Sequence, residues 1–184
     1  MMNALVLLAT GFEEIEAIGI IDILRRGNIK TVTASITGAL NVTGAHDITV
    51  IADTLFENLK LCEYQAIILP GGGPGSLMLK DHEGVCNAVK EYYAHDKLIA
   101  AICASPRVFG YLGLLEGKKA TCYPGIEPEL TGAEVVNAAV KIDGNIITGR
   151  GPGAVFDFGL AIIDSLIKNN DVRFKVAKDL LLID

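Results

Sequence analysis

The chain lacks the surplus of basic side chains that a polyanion partner would need. Its 184 residues hold 16 Lys and Arg against 22 Asp and Glu, a formal charge of -6 and a pI near 5.1, and no basic cluster appears beyond Arg25-Arg26 and Lys118-Lys119. Nucleic acid and anionic membranes are held by concentrated Lys and Arg, so neither is an expected partner. No apolar run approaches the ~20 residues that span a bilayer. The apolar opening, Ala4-Leu5-Val6-Leu7-Leu8-Ala9, has no basic residue before it, and Thr10-Gly11-Phe12-Glu13-Glu14 ends it too early for a signal peptide. The expectation is a soluble cytoplasmic protein whose large apolar share, 51%, belongs to a buried sheet.

Metal-binding and nucleotide-binding signatures are missing as well. Cys62, Cys86, Cys103 and Cys122 form no CxxC pair, and a chain of this length needs no disulfide staple, so they read as reduced thiols. His46, His82 and His95 have no metal-ligand spacing and read as surface residues, so no metal site is expected. The glycine run Pro70-Gly71-Gly72-Gly73-Pro74-Gly75-Ser76 satisfies neither GxGxxG nor the Lys-Ser/Thr phosphate loop. There is no repeat, low-complexity tract or linker, and residues 1–184 read as one domain.

What remains is strand-helix alternation. Short runs apolar at every position, at Ala4 to Leu8, Thr31 to Ile36, Ala66 to Leu69, Leu98 to Ile102 and Asn145 to Thr148, predict parallel strands covered on both faces. Helices are predicted over Glu14 to Arg26, His82 to Ala94, Pro106 to Leu114 and Ala154 to Lys168. This is an α/β fold, in which sites form at the carboxyl ends of the strands.

Three of those ends carry chemistry. Leu98 to Ile102 runs directly into Cys103-Ala104-Ser105-Pro106, placing Cys103 at a sharp strand-to-helix junction where helix N-terminal amides favour thiolate. Free cysteine is also among the most buried residue types, so this pattern alone equally describes an inert core thiol. Glu13 and Glu14 read as ordinary partners of a helix dipole. Glu16 differs in phase: at roughly 100° per residue it leans beside the apolar face of Ile20 and Ile23, and a carboxyl group there needs a partner or a proton. The Gly71-Gly72 turn is either a tight handover or a cradle of backbone amides for an oxyanion. Gly149-Arg150-Gly151-Pro152-Gly153 reads either as a loop closing a pocket or as the start of a helix.

Together these segments resemble the ThiJ/PfpI superfamily, specifically its DJ-one branch, over essentially the whole chain. The carriers are the opening strand with Gly11-Phe12-Glu13-Glu14-Ile15-Glu16, then Leu69-Pro70-Gly71-Gly72, Ala100-Ala101-Ile102-Cys103-Ala104, Thr121-Cys122-Tyr123-Pro124 and Gly151-Pro152-Gly153. The resemblance implies a flavodoxin-like three-layer sandwich with a mainly parallel central sheet, class I glutamine amidotransferase-like, and usually homodimeric. It implies a nucleophilic Cys103 hydrogen-bonded to a protonated Glu16, an oxyanion site from the Gly72 and Ala104 amides, and a pocket near Gly71, Tyr123 and Pro152.

The implied activity is that of a cofactor-independent glyoxalase or deglycase acting on a small carbonyl compound; the alternative is a redox sensor or stress chaperone using the same thiol. Two departures bear on this. Peptidase-like members carry a His directly after the nucleophile, where this chain has Ala104, so amide cleavage is not expected. Human-type members carry a His near the pocket where this chain has Tyr123, which can donate a hydrogen bond but is no base near neutral pH.

Overall fold

The computed structural model describes residues 2–183. A seven-stranded sheet forms its centre, in the order β10-β11-β7-β6-β1-β2-β5. The strands are β1 (Asn3–Leu8), β2 (Lys30–Ser35), β5 (Thr54–Leu55), β6 (Ala66–Leu69), β7 (Leu98–Ile102), β10 (Val140–Asp143) and β11 (Ile146–Gly149). All pairings are parallel except β10 with β11, a hairpin that closes one edge. Two small ribbons lie outside, β3 (Asn41–Thr43) with β4 (Thr49–Ile51) and β8 (Lys119–Ala120) with β9 (Glu134–Val135).

Strand alternation divides the apolar residues between two layers. Ala4, Val6 and Leu8 of β1 face the layer made by α1 (Glu14–Arg26), α5 (Val155–Ile167) and α6 (Asn170–Asp179), where Ile20, Ile23, Phe158 and Ile162 are buried. Leu5 and Leu7 face the other layer, made by α2 (Gly73–Asp81), α3 (Glu83–Ala94) and α4 (Pro106–Tyr111), where Val89, Tyr92 and Phe109 are buried. This explains strands that are apolar at every position, and it is the three-layer α/β sandwich expected.

The differences from expectation have local causes. α4 stops at Tyr111 rather than Leu114, because the chain turns at Gly113, whose φ of 71° is left-handed. The glycine-rich turn after β6 continues into α2, with Pro74 in its first turn, a helix outside the four predicted. α6 is largely polar and shows no strong apolar stripe, so periodicity missed it. Among the described residues no helix is long and apolar enough to cross a membrane.

Candidate active site

The strands β11, β7, β6 and β1 are consecutive neighbours in the sheet, and their carboxyl ends form one surface. The chain runs outward from β1 through β2 in one direction and from β6 through β7 in the other, so the β1/β6 boundary is the crevice where open α/β sheets build sites.

Cys103 follows β7 with φ at 63° and is only 8% exposed. A left-handed backbone at a residue with a side chain is a strained conformation, held here from both sides. Its N–H donates to Gly149 O at 2.9 Å, and its carbonyl accepts from Tyr123 N at 2.8 Å. Ser105, fully buried, donates its hydroxyl to Pro70 O, tying the elbow to the turn after β6.

Glu16 is fully buried in the first turn of α1. Its amide donates to Glu13 Oε2 at 2.7 Å, so Glu13 is the helix cap rather than a loose dipole partner. Glu16 Oε2 accepts the Gly71 N–H at 2.7 Å. Its Oε1 is buried with no hydrogen-bond partner among the described residues. Gly71 lies between Glu16 and Cys103: a Cβ built on it collides with Glu16 Oε2 and with Cys103 Cβ. Gly72 needs to be glycine for a second reason, since its φ is 95° and a Cβ there meets Gly11 O.

Burial pushes the Glu16 carboxyl up to about 7, against the neighbouring Cys103 thiol and the Gly71 amide, which favour the charged form. Burial likewise pushes the Cys103 thiol up to about 12, aided by the neighbouring Glu16 charge, while the Gly72 and Ala104 amides pull the other way. The expectation of a lowered thiol pKa is therefore corrected. Desolvation and the adjacent carboxylate outweigh the helix-end amides. A thiolate arises here most readily by passing its proton to Glu16, which leaves the net charge of the pair unchanged.

Tyr123 and Pro152 border a cavity of about 370 Å³ together with Pro124, Ala139, Arg150 and Gly151. Cys103 does not line this cavity; it borders it through the backbone, by its bonds to Tyr123 and Gly149. The sequence reading thus grouped residues of two compartments, the Cys103–Glu16–Gly71–Gly72–Ala104 centre and the Tyr123–Pro152 cavity beside it.

The profile of the DJ-1/PfpI family matches residues 2–165. The chain belongs to this family. A DJ-1 superfamily protein of Salmonella typhimurium has a crystal structure of a mutant form with TM-score 0.94 and 35% identity, covering 98% of each chain. An Arabidopsis thaliana protein, DJ-1 homolog B, is 41% identical over 90% of this DJ-1/PfpI chain, which spans only 38% of that relative's length. A Pyrococcus abyssi relative named as a deglycase is 34% identical over 84% of this chain and 93% of its own.

Sequence reading missed several supports of this DJ-1/PfpI site. Arg107, 7% exposed, donates to Ser76 Oγ at 3.1 Å and to Glu129 Oε1 at 2.7 Å, joining α4 to α2 and to the segment after Tyr123; no motif marked it. Glu14 is buried and pairs with exposed His46, through the backbone N–H at 2.6 Å and Nδ1 at 2.8 Å, linking the β3–β4 ribbon to α1. Burial opposes the Glu14 charge, but the His46 hydrogen bonds outweigh it and lower its pKa, while the same contact raises that of His46. His82 is half-buried and caps α3 through Nδ1, so it is not a plain surface residue. Glu13, Glu14 and His46 bring potential ligand atoms within 4.8 Å of one another. Those of Glu13 and Glu14 already accept the hydrogen bonds just described.

Proposed function

We propose that the protein is a cofactor-independent enzyme acting on small reactive dicarbonyls or their adducts, as a glyoxalase or deglycase, with Cys103 as nucleophile and Glu16 as proton carrier. The observation that carries this reading is the buried Glu16–Cys103 pair facing the Gly72 and Ala104 amides. The name of the Pyrococcus relative supports it.

The Glu16 carboxylate takes the thiol proton, and the Cys103 sulfur forms a bond to the aldehyde carbon of the dicarbonyl. The carbonyl electron pair moves to oxygen, where the Gly72 and Ala104 amides stabilise the charge, and Glu16 returns its proton to give a hemithioacetal. Glu16 then removes the hydrogen of that carbon as a proton and gives it to the neighbouring ketone oxygen, forming an enediol, and next takes the proton of the first carbon's hydroxyl and gives it to the second carbon. The first carbon becomes a thioester and the second an alcohol, so oxidation and reduction cancel within the substrate. Water adds to the thioester, the C–S bond breaks, and a hydroxy acid leaves with the thiol restored.

With methylglyoxal as substrate the product is lactate. Its formation is expected to fall to the uncatalysed level in Cys103→Ser and to drop severely in Glu16→Gln. Lactate formation that survives Cys103→Ser removes this mechanism.

A second reading uses the same thiol as an oxidation sensor. Glu16, raised to about 7, retains a proton that can be donated to a sulfinate oxygen. Here peroxide supplies the oxygen and is itself reduced to water. Intact-mass spectra after mild peroxide are expected to place added oxygen on Cys103 before Cys62, Cys86 or Cys122. Indiscriminate oxidation rules the sensor out. For assembly we carry a homodimer as the proposal, supported by exposed Ile18 and Ile51, which line one shallow cavity; sedimentation of the parent and of Ile51→Lys tests it.

A further inference from the structure

Arg150 stands at a position the chemistry above does not use. Gly149 is the last residue of β11 and pairs in register with Ile102, so Arg150 lies one step beyond, alongside Cys103. At the level of the backbone that is about one strand spacing, ~4.8 Å. Its N–H donates to Ala139 O at 2.9 Å, which holds the backbone in place. Its side chain is exposed and belongs to none of the ion pairs among the described residues.

The cavity of about 370 Å³ that Arg150 borders contains no carboxylate and no second cation in its wall. Both walls are tied to Cys103: Tyr123 through its N–H to the Cys103 carbonyl, and the Gly149–Pro152 segment through Gly149 O. The walls also touch each other, since a Cβ built on Gly151 meets the Tyr123 ring at 3.2 Å. The nearby acids are otherwise engaged. Glu129 pairs with Arg107, and Glu127, which accepts the Gly125 N–H at 2.6 Å, shares with Arg150 the lining of a second cavity on the Cys122 side but forms no ion pair with it. The result is a mostly apolar recess with one guanidinium outside any ion pair at its border, joined to the Cys103 elbow through the backbone.

The geometry points to a subsite here for the anionic end of the substrate: a carboxylate or phosphate held by Arg150 between Tyr123 and Pro152 while the reactive carbonyl carbon meets Cys103. The inference rests on the proposed carbonyl chemistry and narrows it to α-oxoaldehydes, or their thiol and amine adducts, that bear an acidic group. Guanidinium suits this role because its planar fork matches both oxyanions in a two-point contact. Because the whole chain carries a charge of -6, a local positive group favours the approach of an anion to this face.

The test reads the subsite through the thiol and not through turnover. With Cys62, Cys86 and Cys122 replaced by Ser, the rates of Cys103 alkylation by iodoacetate and by iodoacetamide are measured at one pH and ionic strength. Both reagents attack the same thiolate, so their ratio cancels its population and isolates the effect of the reagent's charge. The iodoacetate-to-iodoacetamide ratio is expected to fall about fivefold in Arg150→Gln, as an exposed charge contact is worth about 1 kcal/mol. Arg150→Lys is expected to restore part of it. In the protein with Arg150 intact, added inorganic phosphate or acetate should slow iodoacetate selectively, and the stronger competitor identifies the acidic group preferred.

An unchanged ratio in Arg150→Gln, or no competition by either anion, overturns the subsite and leaves the proposed enzyme standing. Failure to convert both methylglyoxal and an acid-bearing α-oxoaldehyde such as glyoxylate overturns the enzyme and with it the substrate assignment, while the reagent ratio then still reads the anion contact at Arg150.

Discussion

The Glu16 carboxyl and the Cys103 thiol meet although the strands that deliver them, β1 and β7, are not neighbours; β6 runs between them. They come together over the end of β6 because Gly71, which donates its N–H to Glu16, has no side chain to keep them apart.

Gly71→Ala is therefore expected to separate the pair. The inserted methyl meets both groups, and overpacking of this kind costs about 1–3 kcal/mol. Urea unfolding should show the loss, and Cys103 alkylation should lose its dependence on Glu16. An alanine variant with parent stability and parent alkylation kinetics would show that the gap is not needed.

The pair should titrate in two steps. Below about 7 it holds two protons, between about 7 and 12 it shares one, and above about 12 it holds none. Iodoacetamide reactivity of Cys103 is expected to rise through the first step, level off, and rise again toward the second. Glu16→Gln removes the carboxylate and should leave a single step with no inflection near neutrality. One midpoint near the ordinary thiol value of about 8.5 in both proteins contradicts the coupling.

Stability carries the same signature. Glu16 has an ordinary value of 4.5 and is raised to about 7 on folding, so between those values the folded protein binds more protons than the unfolded chain. Stability must then fall as pH rises across that window, by up to about 3 kcal/mol relative to Glu16→Gln. Urea midpoints of the two proteins at several pH values from 5 to 8 measure it; parallel profiles contradict the shift.

Arg107 and Glu129 form an unequal pair, with side chains 8% and 41% exposed. Glu129→Gln leaves a buried guanidinium without its counter-charge and is expected to cost about 1–3 kcal/mol, discounted for the exposure of Glu129. Arg107→Met removes the charge and keeps much of the volume, so it should cost less. Chemical denaturation of both variants decides the order, and the reverse ranking would show that packing of the arginine stem dominates.

Much of this site was legible because its parts obey local rules. The uniformly apolar runs of Ala66 to Leu69 and Leu98 to Ile102 are strands with the predicted bounds, and α1 spans the predicted Glu14 to Arg26. The phase argument for Glu16 matched a fully buried carboxyl. Arg107 was invisible because its partners, Ser76 and Glu129, lie 31 and 22 residues away. The thiol pKa was misjudged because helix amides can be inferred from sequence, whereas the degree of desolvation cannot. Glu14 was misread for a related reason: its partner His46 arrives from a ribbon 32 residues later.

The division of strand side chains between two layers has a consequence for sulfur. Cys103 packs with the α1/α5 layer and Cys122 with the α3/α4 layer, although the residue after Cys122 is bonded to the Cys103 carbonyl. Cys86 is turned to Lys80 O, and Cys62 is exposed beside Glu91 and His95. On the proposed sensor reading, an oxidised Cys103 would have no thiol among the described residues on its own face of the sheet to close a bridge with. Its recovery would then depend on a reductant from outside the chain, which would make the fate of that one sulfur a report on the surroundings and not on the chain's other cysteines.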